Sequence, residues 1–233
     1  MIFTPNLLEA RLVRRYKRFL ADMELDNGEV ITVHCPNTGS MKNCMTDAGL
    51  CWLQWSDNAK RKYPYTWVLS TTPFGDTTCV NTHLANKVVG EALQDGKIAE
   101  LAGYSQCRAE VKYGEASRID FLLSEGADQC FVEVKSVTLQ EKERGYFPDA
   151  VSTRGQKHLQ ELTNVVAQGQ RAVLLFCVMN NGITQVSPAD SIDPEYGRLL
   201  RNAIAAGVEV LAYQAQVSPN SIVIERKLPL VIE

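Results

Sequence analysis

The sequence has no apolar run able to cross a bilayer: the longest, Ala172 to Met179, is eight residues, against the ~20 a spanning helix requires. Its start, Met1-Ile2-Phe3-Thr4-Pro5, lacks the basic region and long apolar stretch of a secretory signal. A cytoplasmic protein with no membrane partner is therefore expected. The seven cysteines form no C-x-x-C pair and are odd in number, which suits a reducing compartment better than a disulfide framework. His34 beside Cys35 has no second ligand pair at zinc spacing, and zinc is set aside. Charge of one sign is also missing, since 24 Lys+Arg against 27 Asp+Glu give a net −3. A nucleic-acid partner would have to be met by local clusters, not by a basic surface overall.

What is present is an ordinary globular composition, 45% hydrophobic and 22% charged, which excludes a disordered or collagenous chain. At ~150 residues per domain, 233 residues make one large domain or two small ones. The hydrophobic pattern supports two. Up to residue 80 short strand candidates are broken by turn chemistry such as Asn27-Gly28 and Pro73-Phe74-Gly75-Asp76. They are Leu12 to Leu25, Glu29 to Cys35, Leu50 to Ser56, Tyr65 to Thr71 and Thr77 to Val80. Five strands in so few residues predict a small closed barrel of the OB type. From residue 81 to 233 the period changes. Leu84, Val88, Ala92 and Leu93 predict a helix, and strands follow at Arg108 to Tyr113, Arg118 to Leu123 and Cys130 to Val137. A helix carrying Leu159, Leu162, Val165 and Val166, a buried strand Ala172 to Met179, a helix near Pro194 to Ala206 and a strand Val208 to Tyr213 complete an α/β domain with a mixed central sheet. The class is thus two-domain α+β. No Pro-, Gly- or Ser-rich linker separates the parts, which predicts that they pack together.

Three charges lie inside predicted strands. Strand period places Glu133 and Lys135 on one face, about 6.6 Å apart, while Val132 and Val134 face the other way. With Gly126-Ala127 as a hairpin tip, Asp120 falls opposite Glu133. Asp120 and Glu133 offer hard oxygen ligands to Mg²⁺ or Mn²⁺, with the Val134 carbonyl as a third, and Lys135 stands beside them. That chemistry suits phosphodiester hydrolysis, because a metal and an ammonium both favour hydroxide and offset charge on a phosphoryl group. E-x-K alone is also what an exposed ion pair on a half-solvated strand looks like.

Asp120-x12-Glu133-Val134-Lys135 in this order of elements resembles the PD-(D/E)xK nuclease-like fold, except that Ile119 stands where the motif's name has Pro. The whole chain resembles the bacterial sugar fermentation stimulation proteins. The segments that carry this likeness include Arg18-Phe19-Leu20-Ala21, His34 to Met41, Arg61-Lys62-Tyr63-Pro64, Ser117 to Phe121, Glu133 to Val137 and Gly145 to Val151. The resemblance implies an N-terminal OB-like domain, a C-terminal nuclease-like domain, and DNA binding linked to sugar-utilisation genes. A non-enzymatic DNA-binding regulator with a vestigial nuclease fold is the rival to an active nuclease.

Several further residues are candidates for DNA contact. Arg11, Arg14, Arg15, Lys17 and Arg18 put five cations in eight residues around Tyr16, and Lys60, Arg61 and Lys62 adjoin Tyr63. A barrel gripping nucleic acid uses this mixture of cations for phosphates and aromatics for bases, although charge on a strand edge also guards against aggregation. The balance is +1 for residues 1–80 and −4 for the rest. In the nuclease-like fold the helix after the hairpin often reaches a phosphate, which makes Arg154, Gln156 and Lys157 candidates. His158 borders the apolar stripe and reads as a satisfied structural residue. Glu91 on the first helix could supply an extra carboxylate to the sheet, but a solvated position is the simpler reading. Glu110 reads as an exposed charge, and Asn37-Thr38-Gly39 as a tight turn or the lining of a domain interface or DNA groove.

Overall fold

The computed structural model describes residues 1–113 and 117–232. Strands β1 (Leu8–Tyr16), β2 (Leu20–Glu24), β3 (Val30–His34), β4 (Leu50–Trp55) and β5 (Tyr65–Thr71) form a sheet in the order β3-β2-β1-β4-β5, and β6 (Thr77–Cys79) adds to β5. His34 of β3 pairs with Thr66 of β5, which closes the five strands into a barrel. Its interior is filled by Ala10, Leu12, Ala21, Met23, Val33, Leu53 and Trp67. The expected single strand Leu12 to Leu25 is instead two, reversed at Lys17-Arg18-Phe19, so the barrel's five strands are not the five expected. Lys17 and Arg18 take φ of 49° and 63°. Neither Gly nor Asn marks the reversal, although those residues normally carry a left-handed backbone.

The second domain opens with α1 (Leu84–Gln94) and a 3₁₀ turn, Ala99–Leu101. Then come β7 (Gln106–Tyr113), β8 (Ser117–Glu125), β9 (Asp128–Val137), β10 (Leu139–Glu141) and β11 (Arg144–Phe147). The remainder is α2 (Thr153–Ala167), β12 (Arg171–Val178), β13 (Gln185–Pro188), α3 (Pro194–Ala205), β14 (Glu209–Val217) and β15 (Ile222–Lys227). A six-stranded mixed sheet runs β15-β14-β12-β9-β8-β7, parallel across β9, β12 and β14. The continuous apolar run predicts a strand covered on both faces, and β12 is buried almost throughout.

Helix α1 covers one face, packing Val88, Val89 and Ala92 with Val132, Val134 and Val173. On the other face, α2 and α3 bring Leu159, Leu162 and Leu200 against Leu174, Phe176 and Val178. Both of these helices are capped by their sequence: Ser152 Oγ accepts from Gly155 N at 3.0 Å, and Asp193 Oδ1 from Tyr196 N at 2.9 Å. Pro194 then fills the first helical turn, where its missing N–H costs nothing. The small sheet β10-β11-β13 and the edge strand β15 are not among the expected elements; β10, β11 and β13, of three or four residues each, carry too little periodicity to register.

The two domains share one core. Met1, Phe3, Trp52, Val68 and Leu69 join α1 and the large sheet in a single cluster. Polar bonds add to this junction, where Asn43 Nδ2 donates to Gln140 O at 2.9 Å and Lys42 pairs with Glu141 at 2.8 Å. Among the described residues no helix is long and apolar enough to cross a membrane.

Candidate nuclease-like site

The β8–β9 hairpin has the expected register, with Phe121 opposite Val132 and Glu125 opposite Asp128 around the Gly126-Ala127 tip. Beyond Phe121 the side chain of Asp120 replaces the ladder. Its Oδ2 accepts the Val134 amide at 2.7 Å, and its Oδ1 accepts Asn86 Nδ2 of α1, also at 2.7 Å. On the other side of Asp120 the β7 pairing skips Glu110, whose φ is 54° and which is exposed, as read from the sequence.

Glu133 is 2% exposed. Its Oε1 accepts Lys135 Nζ at 2.5 Å and contacts His158 Nδ1 on α2. Arg154 Nε donates to His158 Nε2 at 3.4 Å. A neutral imidazole with its proton on Nδ1 satisfies both bonds, because it gives a hydrogen to Glu133 and accepts one from Arg154. The 3.0 Å approach of Lys135 Nζ to Nδ1 is then a close contact between two donors that share one carboxylate oxygen. Glu133 Oε2 is buried with no partner, which costs free energy unless a group outside the protein occupies it.

The two carboxyls are driven apart in acidity. Burial and the Glu133 charge push Asp120 up, against the Val134 amide, Asn86 and Lys135. Burial acts the same way on Glu133, but the His158 hydrogen bond and the Lys135 ammonium outweigh it and hold that carboxyl below its usual range. Opposite shifts within one acid pair are a frequent mark of functional sites. The described residues include no cluster of three or more His, Cys, Asp or Glu side chains in metal-holding geometry. Glu91 forms an ion pair with the Met1 amino group at 2.6 Å, and it lines the same groove as Asn86, Glu110 and Asp120.

The cations expected to hold DNA have diverse positions. Lys17 and Arg18 are exposed in the β1–β2 turn, and Arg11 donates to Ala48 O at 3.3 Å. Arg14 pairs with Asp22 at 2.8 Å and lies 5.0 Å from the Tyr16 ring centre. Arg15 faces inward: its Nη2 lies 2.8 to 3.0 Å from the carbonyls of Arg18, Asn37 and Gly39, bracing the loop after β3. Lys60 is exposed, Arg61 donates to Thr66 Oγ1 at 2.7 Å, and Lys62 sits over Tyr63. The β1–β2 turn and the start of β5 both adjoin the end of β3, where Cys35 N bonds Phe19 O and His34 pairs with Thr66. On α2, only Arg154 of the three candidates turns to the acid pair. Gln156 donates to Asp193 and Lys157 pairs with Glu161 at 3.5 Å.

Sequence reasoning missed His158 and Asn86. A buried His on an apolar stripe and an Asn in a first helical turn are both common without function. Only the strand facing each one reveals its partner.

A closed five-strand barrel joined to a mixed sheet flanked by three helices defines a two-domain protein with an OB domain first. Residues 13–81 match the family model for the SfsA N-terminal OB domain, and residues 83–221 that for the sugar fermentation stimulation protein RE domain. The chain belongs to the sugar fermentation stimulation protein family. It is 58% identical over 234 residues to the sugar fermentation stimulation protein homolog of Teredinibacter turnerae, covering 100% of both chains. Among solved structures it is similar to Pyrococcus furiosus SfsA in complex with Ca²⁺. The TM-score is 0.88 and the identity 27%, over 100% of this chain and 98% of that one.

Proposed function

We propose that this protein binds DNA and hydrolyses its phosphodiester bonds with Mg²⁺ or Mn²⁺ held by Asp120 and Glu133 beside Val134. The observation that supports this reading best is the orphaned Glu133 Oε2, a buried carboxylate oxygen without a hydrogen-bond donor. A hard cation fits such an oxygen, and the relative from Pyrococcus furiosus takes Ca²⁺. When bound, the ion supplies Lewis acidity at a phosphoryl oxygen and lowers the pKa of its water.

The protein's own groups do the rest. The Val134 amide and Asn86 fix Asp120, and His158 fixes Glu133 through Oε1, so that Oε2 stays available. Lys135, with one hydrogen on Glu133, keeps two for a water or a phosphate oxygen. Arg154 stands behind His158 as the nearest α2 cation for a backbone phosphate. Lys17, Arg18, Lys60 and Lys62 would track the strand across the barrel, joined by Arg11 and by Arg14 where a phosphate replaces Ala48 O and Asp22 as partner, while Arg15, Arg61, Gln156 and Lys157 keep their contacts within the protein.

The second reading is a DNA-binding regulator of sugar-utilisation genes without catalysis, and the observation that favours it is the family's description, which speaks of sugar fermentation stimulation and names no reaction. One experiment separates them: incubation of single- and double-stranded DNA with the protein and Mn²⁺, beside Glu133→Gln. Cleavage by the wild type and its loss in the variant supports the nuclease. DNA binding with neither cleavage nor Mn²⁺ uptake refutes it in favour of the regulator.

A further inference from the structure

The junction between the domains encloses a pocket of about 170 Å³, lined by residues that include Asn37 of the barrel, Thr82 before α1, Ser136 of β9, Tyr146 and Phe147 of β11, and Asp149. We infer that this pocket receives a single unstacked nucleobase that bears an amino group, from the strand whose phosphate lies at Asp120 and Glu133. The inference rests on the DNA reading above.

Size is the first argument. Sites that enclose a whole drug-sized ligand have roughly 300–1,000 Å³, so this one takes part of a ligand, such as one heterocycle, with the phosphate left outside.

Position is the second. Ser136 follows Lys135 on β9, and Thr82 lies four residues before Asn86, the partner of Asp120. By strand period Ser136 shares the face of Val134, opposite Glu133 and Lys135, so the pocket adjoins the Asp120 side of the acid pair, through β9 and the segment that leads into α1.

Lining chemistry is the third. Ser136 Oγ is buried without a hydrogen-bond partner, an unmet polar group in the wall that a ligand can satisfy. Asp149 is held by the barrel through Oδ2, which takes Ser40 Oγ at 3.3 Å and Met41 N at 3.4 Å. Its Oδ1 remains for a donor. Extruded bases are read by hydrogen bonds to their pairing edge and by packing on aromatic side chains; Asp149 supplies the first and Tyr146 the second. A carboxylate accepts from the amino group of cytosine, adenine or guanine. Thymine presents two carbonyls around a single N–H and matches it worst. The loop Asn37-Thr38-Gly39 is braced for this task by Arg15 and by Asn37 Oδ1, which accepts Gly39 N at 2.8 Å.

The test is fluorescence anisotropy of labelled dC and dT 12-mers with the full chain and Ca²⁺, the ion that the Pyrococcus furiosus relative takes, with each oligomer checked for intact length after the titration. The wild type should bind dC about tenfold tighter than dT, within the range for one well-made base contact. Asp149→Asn, which keeps an acceptor for Met41, should abolish that preference while holding the salt dependence. Tyr146→Ala should weaken both oligomers, and equal melting temperatures establish that the variants fold. Tight binding of both oligomers, with no preference and no response to Asp149→Asn, overturns the pocket while leaving the nuclease reading intact. Free dCMP binding as tightly as the dC 12-mer overturns its placement on a strand. Absence of cleavage by the wild type with Mn²⁺, with the dC preference retained, refutes the nuclease alone.

Discussion

His158→Ala tests whether the imidazole is what keeps Glu133 ionised inside the protein. The change deletes the Nδ1 contact to Oε1 and leaves a carboxylate only 2% exposed with Lys135 as its remaining side-chain partner. A hydrogen bond to a charged group contributes about 1.5–3 kcal/mol, and the buried ring leaves a partial cavity behind. The expected loss near neutral pH is therefore ~2–4 kcal/mol, read from urea denaturation midpoints. The pH dependence carries the sharper test. In the wild type the Glu133 carboxyl lies below its usual value of 4.5. Its contribution is present above that value and lost as pH falls through the lower, folded one. Without His158 one of the two groups that oppose burial is gone and the carboxyl moves upward from its wild-type position, so the variant gains less from ionisation at neutral pH and loses less on acidification. The gap between the two proteins should accordingly narrow between pH 7 and pH 4. A loss below about 0.5 kcal/mol, or a gap independent of pH, would refute the assignment of His158 as the group that stabilises this charge.

Lys135→Ala should lower Mn²⁺-dependent cleavage by about 10² with little change in DNA affinity; full activity in the variant would place the chemistry elsewhere. Arg14→Ala with Arg18→Ala should weaken DNA binding for all sequences and flatten its salt dependence, and an unchanged slope would remove both from the DNA-contact set. Arg15→Ala should instead destabilise the fold by about 1–3 kcal/mol, because three carbonyls lose one guanidinium nitrogen; unaltered denaturation would return it to the DNA-contact set. Asp193→Ala removes the acceptor for Tyr196 N, Ser152 N and Gln156 and should cost ~1–2 kcal/mol or more, in keeping with a helix cap. Burial raises the Asp193 carboxyl, but these donors prevail and hold it below the usual range. Its stabilisation should therefore be full above about pH 4 and fade as the medium becomes more acidic, and a stability difference that grows on acidification would contradict it.

The hairpin that carries the acid pair was legible because two constraints coincide there: alternation sets which residues face together, and Gly126-Ala127 sets the register. Helix α1 and strand β12 were legible for the same kind of reason, each having a long and consistent period. The split of β1 from β2 was not, since Lys17 and Arg18 adopt a backbone that their side chains give no sign of. Charge was the least reliable guide. Arg14 and Arg15 are neighbours of one type, yet Arg14 faces a carboxylate on the barrel surface while Arg15 turns in to carbonyls. Period two continued from the inward Leu12 would turn Arg14 in and Arg15 out, and a bulge between Leu12 and Arg14 reverses them.

The core shared by barrel and sheet makes the two domains a single melting unit. A cut near residue 81 would strip Trp52, Val68 and Leu69 of α1, and α1 of its cover, at roughly 1.5–3 kcal/mol for each large side chain returned to water. Isolated fragments would then present matching sticky faces and associate or precipitate. Heat or denaturant should unfold the intact chain in one transition, and the barrel cannot be borrowed as a free-standing module without resurfacing that wall.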